Sequence, residues 1–287
     1  SMSIISVTDY KSYEKKLFID VDAAPVNQLA NYGSVDATSF TQELRLVGST
    51  DRSDWVAGLY YLNIDNDSFN ALKAPPNSIF GVIALPADVV TIASLETDSY
   101  SVFGQYEYQI SDQLTVIAGA RVVQEDKEFN GAWGLAPSAG NDQVTTDTAL
   151  LIPNAAGAGD PFFFDDDYSE TFWTGKIQLD YSPNEDLLMY AGVNRGVKAG
   201  GFNAALLGAY LGSGGNAGVP YDEEVLTSYE AGFKATLMGG AARLNGSAYY
   251  YDYADYQAFL FVGVGGVSIN QDAETFGMEL ELQASPT

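Results

Sequence analysis

The chain has 287 residues, no histidine, no cysteine and a formal net charge of −25, from 13 Lys+Arg against 38 Asp+Glu. That balance excludes a nucleic-acid binder, which needs basic surface to displace counterions. The missing residue types exclude a Ser-His-Asp triad, a cysteine nucleophile, a disulfide and the usual zinc ligand sets, so only carboxylate or lysine chemistry remains open to catalysis.

With 19 Tyr and 15 Phe the composition is that of a folded chain. No run of about 18 apolar residues exists, so no membrane-spanning helix is expected. Ser1-Met2 reads as a cloning remnant. Residues 3–287 are then expected to be one piece of a longer gene product, in which the lack of a leader says nothing about destination.

Taken in chain order, the elements are strands with period-2 alternation. A weak strand covers 3–20. In the next, Phe40, Leu44 and Leu46 oppose Thr41, Glu43 and Arg45. Strands follow at 54–67, 99–110 and 114–129. The clearest places Trp173, Ile177, Leu179 and Tyr181 on one face and Thr174, Lys176, Gln178 and Asp180 on the other. A weaker strand runs through 187–200. From 227 to 237, Tyr229, Ala231, Phe233, Ala235 and Leu237 oppose Ser228, Glu230, Gly232, Lys234 and Thr236. After a weaker strand at 241–261, Phe276, Met278, Leu280 and Leu282 oppose Glu279 and Glu281. These make about ten strands. Many reach the ~9–11 residues that a tilted strand needs to cross a bilayer, against about five or six in ordinary sheets.

The connections alternate in length. Short ones fall at 48–52, 111–113, 183–186 and 239–240; long ones fall at 21–35, 68–97, 130–167 and 201–224, with a shorter last one at 262–267. An up-and-down barrel puts alternate connections at opposite ends, and outer-membrane barrels keep short turns on one side and long loops on the other. A soluble sandwich has no reason to sort loop length by parity. Trp55, Tyr61, Tyr100, Tyr108, Trp173 and Tyr181 lie near the ends of the apolar face, as membrane-interface girdles do.

Several residues are candidates for binding. Asn194 and Lys198 share the polar parity of their strand, and Tyr249, Tyr251 and Tyr253 share that of theirs, so all five are expected to face the lumen near the long-loop end. Aromatic rings there can stack on a sugar or a chelate, or serve as girdle packing. Arg195 has the apolar parity. Either it snorkels to lipid phosphates or a β-bulge turns it inward. Asp165-Asp166-Asp167 lacks the spacing of a calcium loop and reads as a solvated acidic loop. The Gly263-Val264-Gly265-Gly266 stretch is followed by Ser268 and no helix, so it reads as a flexible loop rather than a phosphate cradle. Glu279 and Glu281 have the spacing of any strand face, and no catalytic, cofactor or metal role is assigned to any residue.

The segment from Leu188 to Asn203, with its Asn194-Arg195-Gly196-Val197-Lys198-Ala199-Gly200-Gly201-Phe202-Asn203 core, resembles a recurring barrel segment of TonB-dependent outer-membrane receptors. So do Thr41-Gln42-Glu43-Leu44-Arg45-Leu46, Trp55-Val56-Ala57-Gly58-Leu59-Tyr60-Tyr61, Tyr229-Glu230-Ala231-Gly232-Phe233-Lys234 and Thr275-Phe276-Gly277-Met278-Glu279-Leu280. The resemblance covers about 39–282. It implies an all-β, antiparallel up-and-down transmembrane β-barrel, of which ten strands are part of a 22-stranded parent, with the family's plug domain absent from 3–287. It implies TonB-dependent uptake of a scarce nutrient such as a ferric siderophore. It also implies outer-membrane lipid or lipopolysaccharide around the wall, and a TonB complex reached through an N-terminal region missing here. The alternatives are a passive porin or structural outer-membrane barrel, and a soluble β-rich carbohydrate-binding module.

Overall fold

The computed structural model describes residues 1–25, 28–73, 87–137, 148–152, 160–204, 218–262 and 265–285. The described residues form twelve strands: β1 (Met2–Asp20), β2 (Ala30–Ser49), β3 (Ser53–Lys73), β4 (Ala87–Ser111), β5 (Leu114–Pro137), β6 (Phe162–Asn184), β7 (Leu187–Lys198), β8 (Gly201–Phe202), β9 (Pro220–Tyr221), β10 (Glu224–Leu237), β11 (Ala242–Val262) and β12 (Gly265–Ala284). Ten form one sheet in the order β1-β2-β3-β4-β5-β6-β7-β10-β11-β12, and β8 pairs with β9 separately. Every neighbouring pair is antiparallel. The architecture is therefore the up-and-down wall that loop parity predicts, with β1 and β12 at its two edges.

The short turns lie at one end of the wall. One joins β10 to β11 through a 3-10 turn at Met238–Gly240, where Met238, Gly239 and Gly240 have φ of 53°, 63° and 96°. Two successive glycines there carry left-handed backbone that a β-branched residue would resist.

Register sorts the side chains into two faces. Ile177, Val193, Tyr229, Tyr250 and Phe276 lie in one row across five strands. That face is uncovered: Trp173 is 55% exposed, Leu59 57% and Leu280 73%. A soluble monomer rarely leaves an apolar patch beyond a few hundred Å² open to water, and this face runs across the whole sheet. Aromatic residues border it at both ends. Trp55, Tyr106, Tyr108 and Tyr181 lie near the short turns, Tyr61 and Tyr100 lie six to eight residues further along their strands, and Tyr229 and Tyr250 lie eight residues from the ends of β10 and β11 at their turn. At about 3.3 Å per residue and 45° tilt, that spacing rises roughly 14–19 Å, within the ~25 Å apolar band of an outer-membrane barrel. The opposite face carries Glu43 paired with Arg45, and Arg121 lying 5.1 Å from the Tyr60 ring centroid and 5.6 Å from that of Phe103.

Several strands run further from the short turns than their alternation predicts. β5 continues to Pro137 and β6 begins at Phe162, so Asp165-Asp166-Asp167 lies within β6 rather than in a loop. Of the glycine stretch, 263–264 fall outside the described residues, while Gly265 and Gly266 open β12. The reason is that these strand ends lie beyond the aromatic borders of the apolar face, where alternation loses its cause. Instead both faces become covered. On the inner face Phe129, Trp133, Ala93, Val219 and Val267 form a buried cluster. On the outer face Leu151 packs over Ala71, Val90, Ala132 and Ala136, and the Ile152 N–H donates to Leu135 O at 2.8 Å. A buried ion pair, Lys73 Nζ to Asp88 Oδ2 at 2.6 Å, ties the ends of β3 and β4 together, with the two side chains 6% and 2% exposed.

Candidate functional site

The inner face at the long-loop end is where the sequence candidates meet. β7 and β10 have 12 and 14 residues, far shorter than their flanking strands. The chain between them therefore leaves the wall low and turns over the inner face. Its described parts, 199–204 and 218–223, are held from both sides. Toward β5 and β6, Lys127 Nζ donates to Gly200 O at 2.5 Å, and the Gly200 N–H donates to Tyr168 Oη at 3.1 Å. The Phe202 ring stacks on Phe129 with centroids 4.8 Å apart, and Trp133 Nε1 donates to Ala204 O at 3.1 Å. Toward β11 and β12, Gln257 Nε2 donates to Ala199 O at 2.9 Å and Asp222 O at 3.0 Å. Asn203 Nδ2 donates to Ser268 O at 2.9 Å and Gly218 O at 3.1 Å, while its Oδ1 accepts the Ser268 N–H at 2.7 Å.

The reach between strands five places apart in the sheet, β5 and β12, comes partly from a bulge. Between Tyr253 and Tyr256 the β11–β12 register shifts, with Asp255 at φ 55°. Beyond it Val267 and Ile269 join the cluster around Phe129. Burial pushes the Tyr221 phenol above its ordinary value, as expected for a ring folded under this cover.

Below the cover, Lys176, Asn194, Ser228 and Tyr251 occupy one inner-face row across β6, β7, β10 and β11. Asn194 Nδ2 donates to Ser228 Oγ at 3.3 Å. One row nearer the short turns, Tyr249 stacks on Tyr251 with centroids 4.8 Å apart, and its ring occupies the space a Cβ at Gly277 would take. One row further still, Tyr190 lies over Gly232 in the same way and donates to Glu230 Oε1 at 2.7 Å. Covering an opposite glycine with an aromatic ring restores the packing that the glycine lacks and pins register. Tyr253 lies one row above Tyr251, opposite Leu226, and meets Tyr256 edge-on at 5.4 Å. Lys198 stands opposite Glu224 at the upper end of β7. Asn194, Tyr249 and Tyr251 thus form one patch, with Tyr253 at its upper edge and Lys198 two rows above Asn194. Neither Lys176 nor Lys198 makes an ion pair among the described residues.

Arg195 lies on the outer face. It pairs with Gly175 and Thr227 without a local register shift, so no bulge turns it inward. Its guanidinium lies 4.4 Å from the Trp173 ring centroid, and its Nη1 donates to Trp173 O. The β6–β7 ladder ends at Gly175–Arg195, so the side chain serves a strand carbonyl that β7 no longer reaches.

Sequence reasoning missed Lys127, Tyr168, Gln257 and the role of Asn203. Each acts on the cover, whose path strand periodicity does not encode. The one available signal was the shortness of the clean alternation in β7 and β10 relative to their neighbours.

Residues 6–285 match the family model described as TonB dependent receptor-like, beta-barrel. Among solved structures, the ferric yersiniabactin uptake receptor FyuA from Yersinia pestis aligns with a TM-score of 0.69 at 17% identity, over 98% of this chain and 37% of that one. The copper transporter OprC gives 0.67 at 14% identity, over 99% and 40%. The ferric-catecholate import receptor Fiu from K12 E. coli, in its closed form, gives 0.59 at 16% identity, over 100% and 43%. At these identities the likeness is one of fold, and the chain spans less than half the length of each.

Proposed function

The chain belongs to the TonB-dependent receptor-like β-barrel family, and from that premise we propose that it forms part of the wall of an outer-membrane receptor that takes up a scarce nutrient such as a ferric siderophore. In this reading the parent protein is driven by a TonB complex, through a region outside this chain. The observation that carries the ligand class is the inner face itself, where a stacked Tyr249–Tyr251 pair shares the lumen-facing surface with Lys176, three strands away in the Tyr251 row, and Lys198, two rows above Asn194; neither ammonium makes an ion pair among the described residues. Stacked rings favour a flat aromatic ligand by about 0.5–1.5 kcal/mol per contact. Cations facing the lumen favour an anionic one, even on a chain whose net charge is −25. A metal chelate of aromatic anionic groups meets both demands. Two of the fold neighbours are named for ferric chelates, which supports the class by analogy of fold only.

The test is uptake of radiolabelled ferric catecholate by cells carrying the full-length receptor. Uptake should need TonB and fall about tenfold in a Tyr249→Ala, Tyr251→Ala double variant, the loss expected for two ring contacts. Uptake independent of TonB would point to a passive pore instead.

A further inference from the structure

On the inner face of β4, β5 and β6, away from the stacked tyrosines, two cations stand together with no anion between them. Arg121 of β5 lies opposite Phe103 of β4 and Thr174 of β6. Lys176 follows two residues along β6 from Thr174 and lies opposite Gly119. Arg121 and Lys176 are therefore diagonal neighbours on one face. Such neighbours have their Cβ atoms ~7–8 Å apart, within reach of long side chains, and like charges so placed repel.

Neither cation has a carboxylate partner among the described residues. The Tyr60 and Phe103 rings beside the guanidinium offset part of its charge. They supply no oxygen to its in-plane N–H donors, and Nε is buried without a hydrogen-bond partner. One row above, on β4, the Oγ of Ser101 is also buried and unpartnered, with the residue 9% exposed. Buried polar groups are nearly always hydrogen-bonded, so two orphans in adjacent rows mark a place for a missing partner. The carboxylates on this side of the lumen are engaged or distant. Glu43 pairs with Arg45, Glu125 pairs with Lys127, and Asp180 accepts Gln178 Nε2. Glu170 lies opposite Glu125, two rows above Thr174, about 13 Å along the strand.

Space for an anion exists at Gly119, which lies between the two cations and has no side chain. A Cβ there would meet Gly104 O at 3.4 Å and Gln105 at 3.5 Å, ordinary contacts, so close packing does not demand the glycine. Its absence of a side chain leaves a gap between Arg121 and Lys176.

We propose that Arg121 and Lys176, with the gap at Gly119, form an oxyanion site on the lumen wall, taking a carboxylate or phosphate group. A guanidinium fork matches two such oxygens, and an ammonium adds a point charge from the other side. The group could come from a solute crossing the lumen or from a carboxylate side chain elsewhere in the parent protein. The proposal uses the lumen-facing side of the wall and not the ligand proposed above.

The full-length receptor is labelled with nitrogen-15 in its arginine side chains and studied by nuclear magnetic resonance in detergent micelles. The Arg121 Nε–H resonance is identified by its loss in Arg121→Lys; if that variant does not fold, Gly119→Val marks the resonance by shifting it. The probes are benzoate and benzamide, its uncharged isostere. With a solute site, benzoate moves the resonance to a hydrogen-bonded position and benzamide does not. Affinity for benzoate should then fall about tenfold in Lys176→Gln, the loss of one charge-assisted contact, and as far in Gly119→Val, which fills the gap. With a carboxylate of the parent protein in place, the resonance is already at the hydrogen-bonded position and benzoate leaves it there. A resonance at the position of a solvated arginine, unmoved by benzoate, overturns the proposal. The probes need neither TonB nor a metal chelate, so a failure of ferric catecholate uptake would overturn the proposed function and leave this result standing.

Discussion

At the scale of single residues, two side chains hold long-loop segments in place through backbone groups. Asp22 lies in the connection between β1 and β2 and accepts the Ala24 N–H at 2.8 Å and the Gln28 N–H at 2.7 Å, together with the Leu29 N–H. Partial burial pushes its carboxyl up, but these three backbone donors outweigh that and hold it below the ordinary carboxylate range. A depressed folded pKa means that the stabilisation is present above the unfolded value of about 3.9 and is lost as pH falls through the folded value. Amide exchange at Ala24, Gln28 and Leu29 should therefore stay slow from neutral pH to about 4 and gain an extra opening below it; Asp22→Ala should show fast exchange throughout. Asn203 is the second case. It is 7% exposed and satisfies Ser268 on both its backbone groups. Asn203→Leu keeps the volume but leaves a buried N–H and two carbonyls with fewer partners, at a cost of about 1–3 kcal/mol. Amide exchange at Ser268 and limited proteolysis of the cover at 199–204 and 218–223 should speed up in that variant while the sheet's circular dichroism stays unchanged.

At the scale of elements, the two faces of one strand should respond oppositely to the same substitution. Leu179 points outward about five residues above the β6–β7 turn, roughly 12 Å up and near the midplane of the apolar band. Leu179→Arg should destabilise by about 2–4 kcal/mol. Gln178→Arg, facing a wet lumen beside Asp180 (Gln178 Nε2 to Asp180 Oδ1, 2.7 Å), should cost under about 1 kcal/mol. Chemical unfolding from detergent micelles measures the difference, and equal losses would contradict the facing.

This is also where the sequence was most legible. Trp173 to Tyr181 alternates because lipid and water stand on opposite sides of the strand, and the structure keeps that alternation residue by residue. The outer ends were not legible for the complementary reason. Phe162-Phe163-Phe164-Asp165-Asp166-Asp167 shows no alternation, since its Phe162 and Phe164 enter an interior aromatic cluster while its outer neighbours meet no lipid. Five candidate residues could be placed on a face by parity alone. Which of them meet depends on cross-strand register, and Asn194 finds Tyr251 only because Ser228 lies between them in one row. The cover over the patch depends on where β7 and β10 stop, which parity does not report.

At the scale of the molecule, the charge distribution follows the same two-sided logic. Arg45, Arg121, Lys127, Lys176, Lys234 and Arg243 all face inward, where Glu43, Glu125 and Glu230 give them company. Above the girdles, the outer face carries Asp36, Asp65, Asp67, Glu96, Asp98 and Asp126. Part of the net charge of −25 thus lies on the outer face above the girdles, while the lumen mixes both signs, with Asp180, Glu279 and Glu281 also facing inward. A binding site inside is therefore not prejudged by the acidic total, and an anionic ligand meets local cations once past the rim.

The most direct test of the two-sided wall exploits the absence of cysteine. Single cysteines placed one at a time from 173 to 181, and again from 275 to 283, carry a nitroxide label in the full-length receptor reconstituted in bilayers. Collision with lipid-soluble oxygen and with a water-soluble nickel chelate is then measured by electron paramagnetic resonance. The account predicts a period of two, with oxygen maxima at 173, 175, 177, 179 and 181 and at 276, 278, 280 and 282, and with nickel maxima at the positions between. Nickel access at Ile177, Leu179, Met278 and Leu280 equal to that at their neighbours would contradict it and place both faces in water.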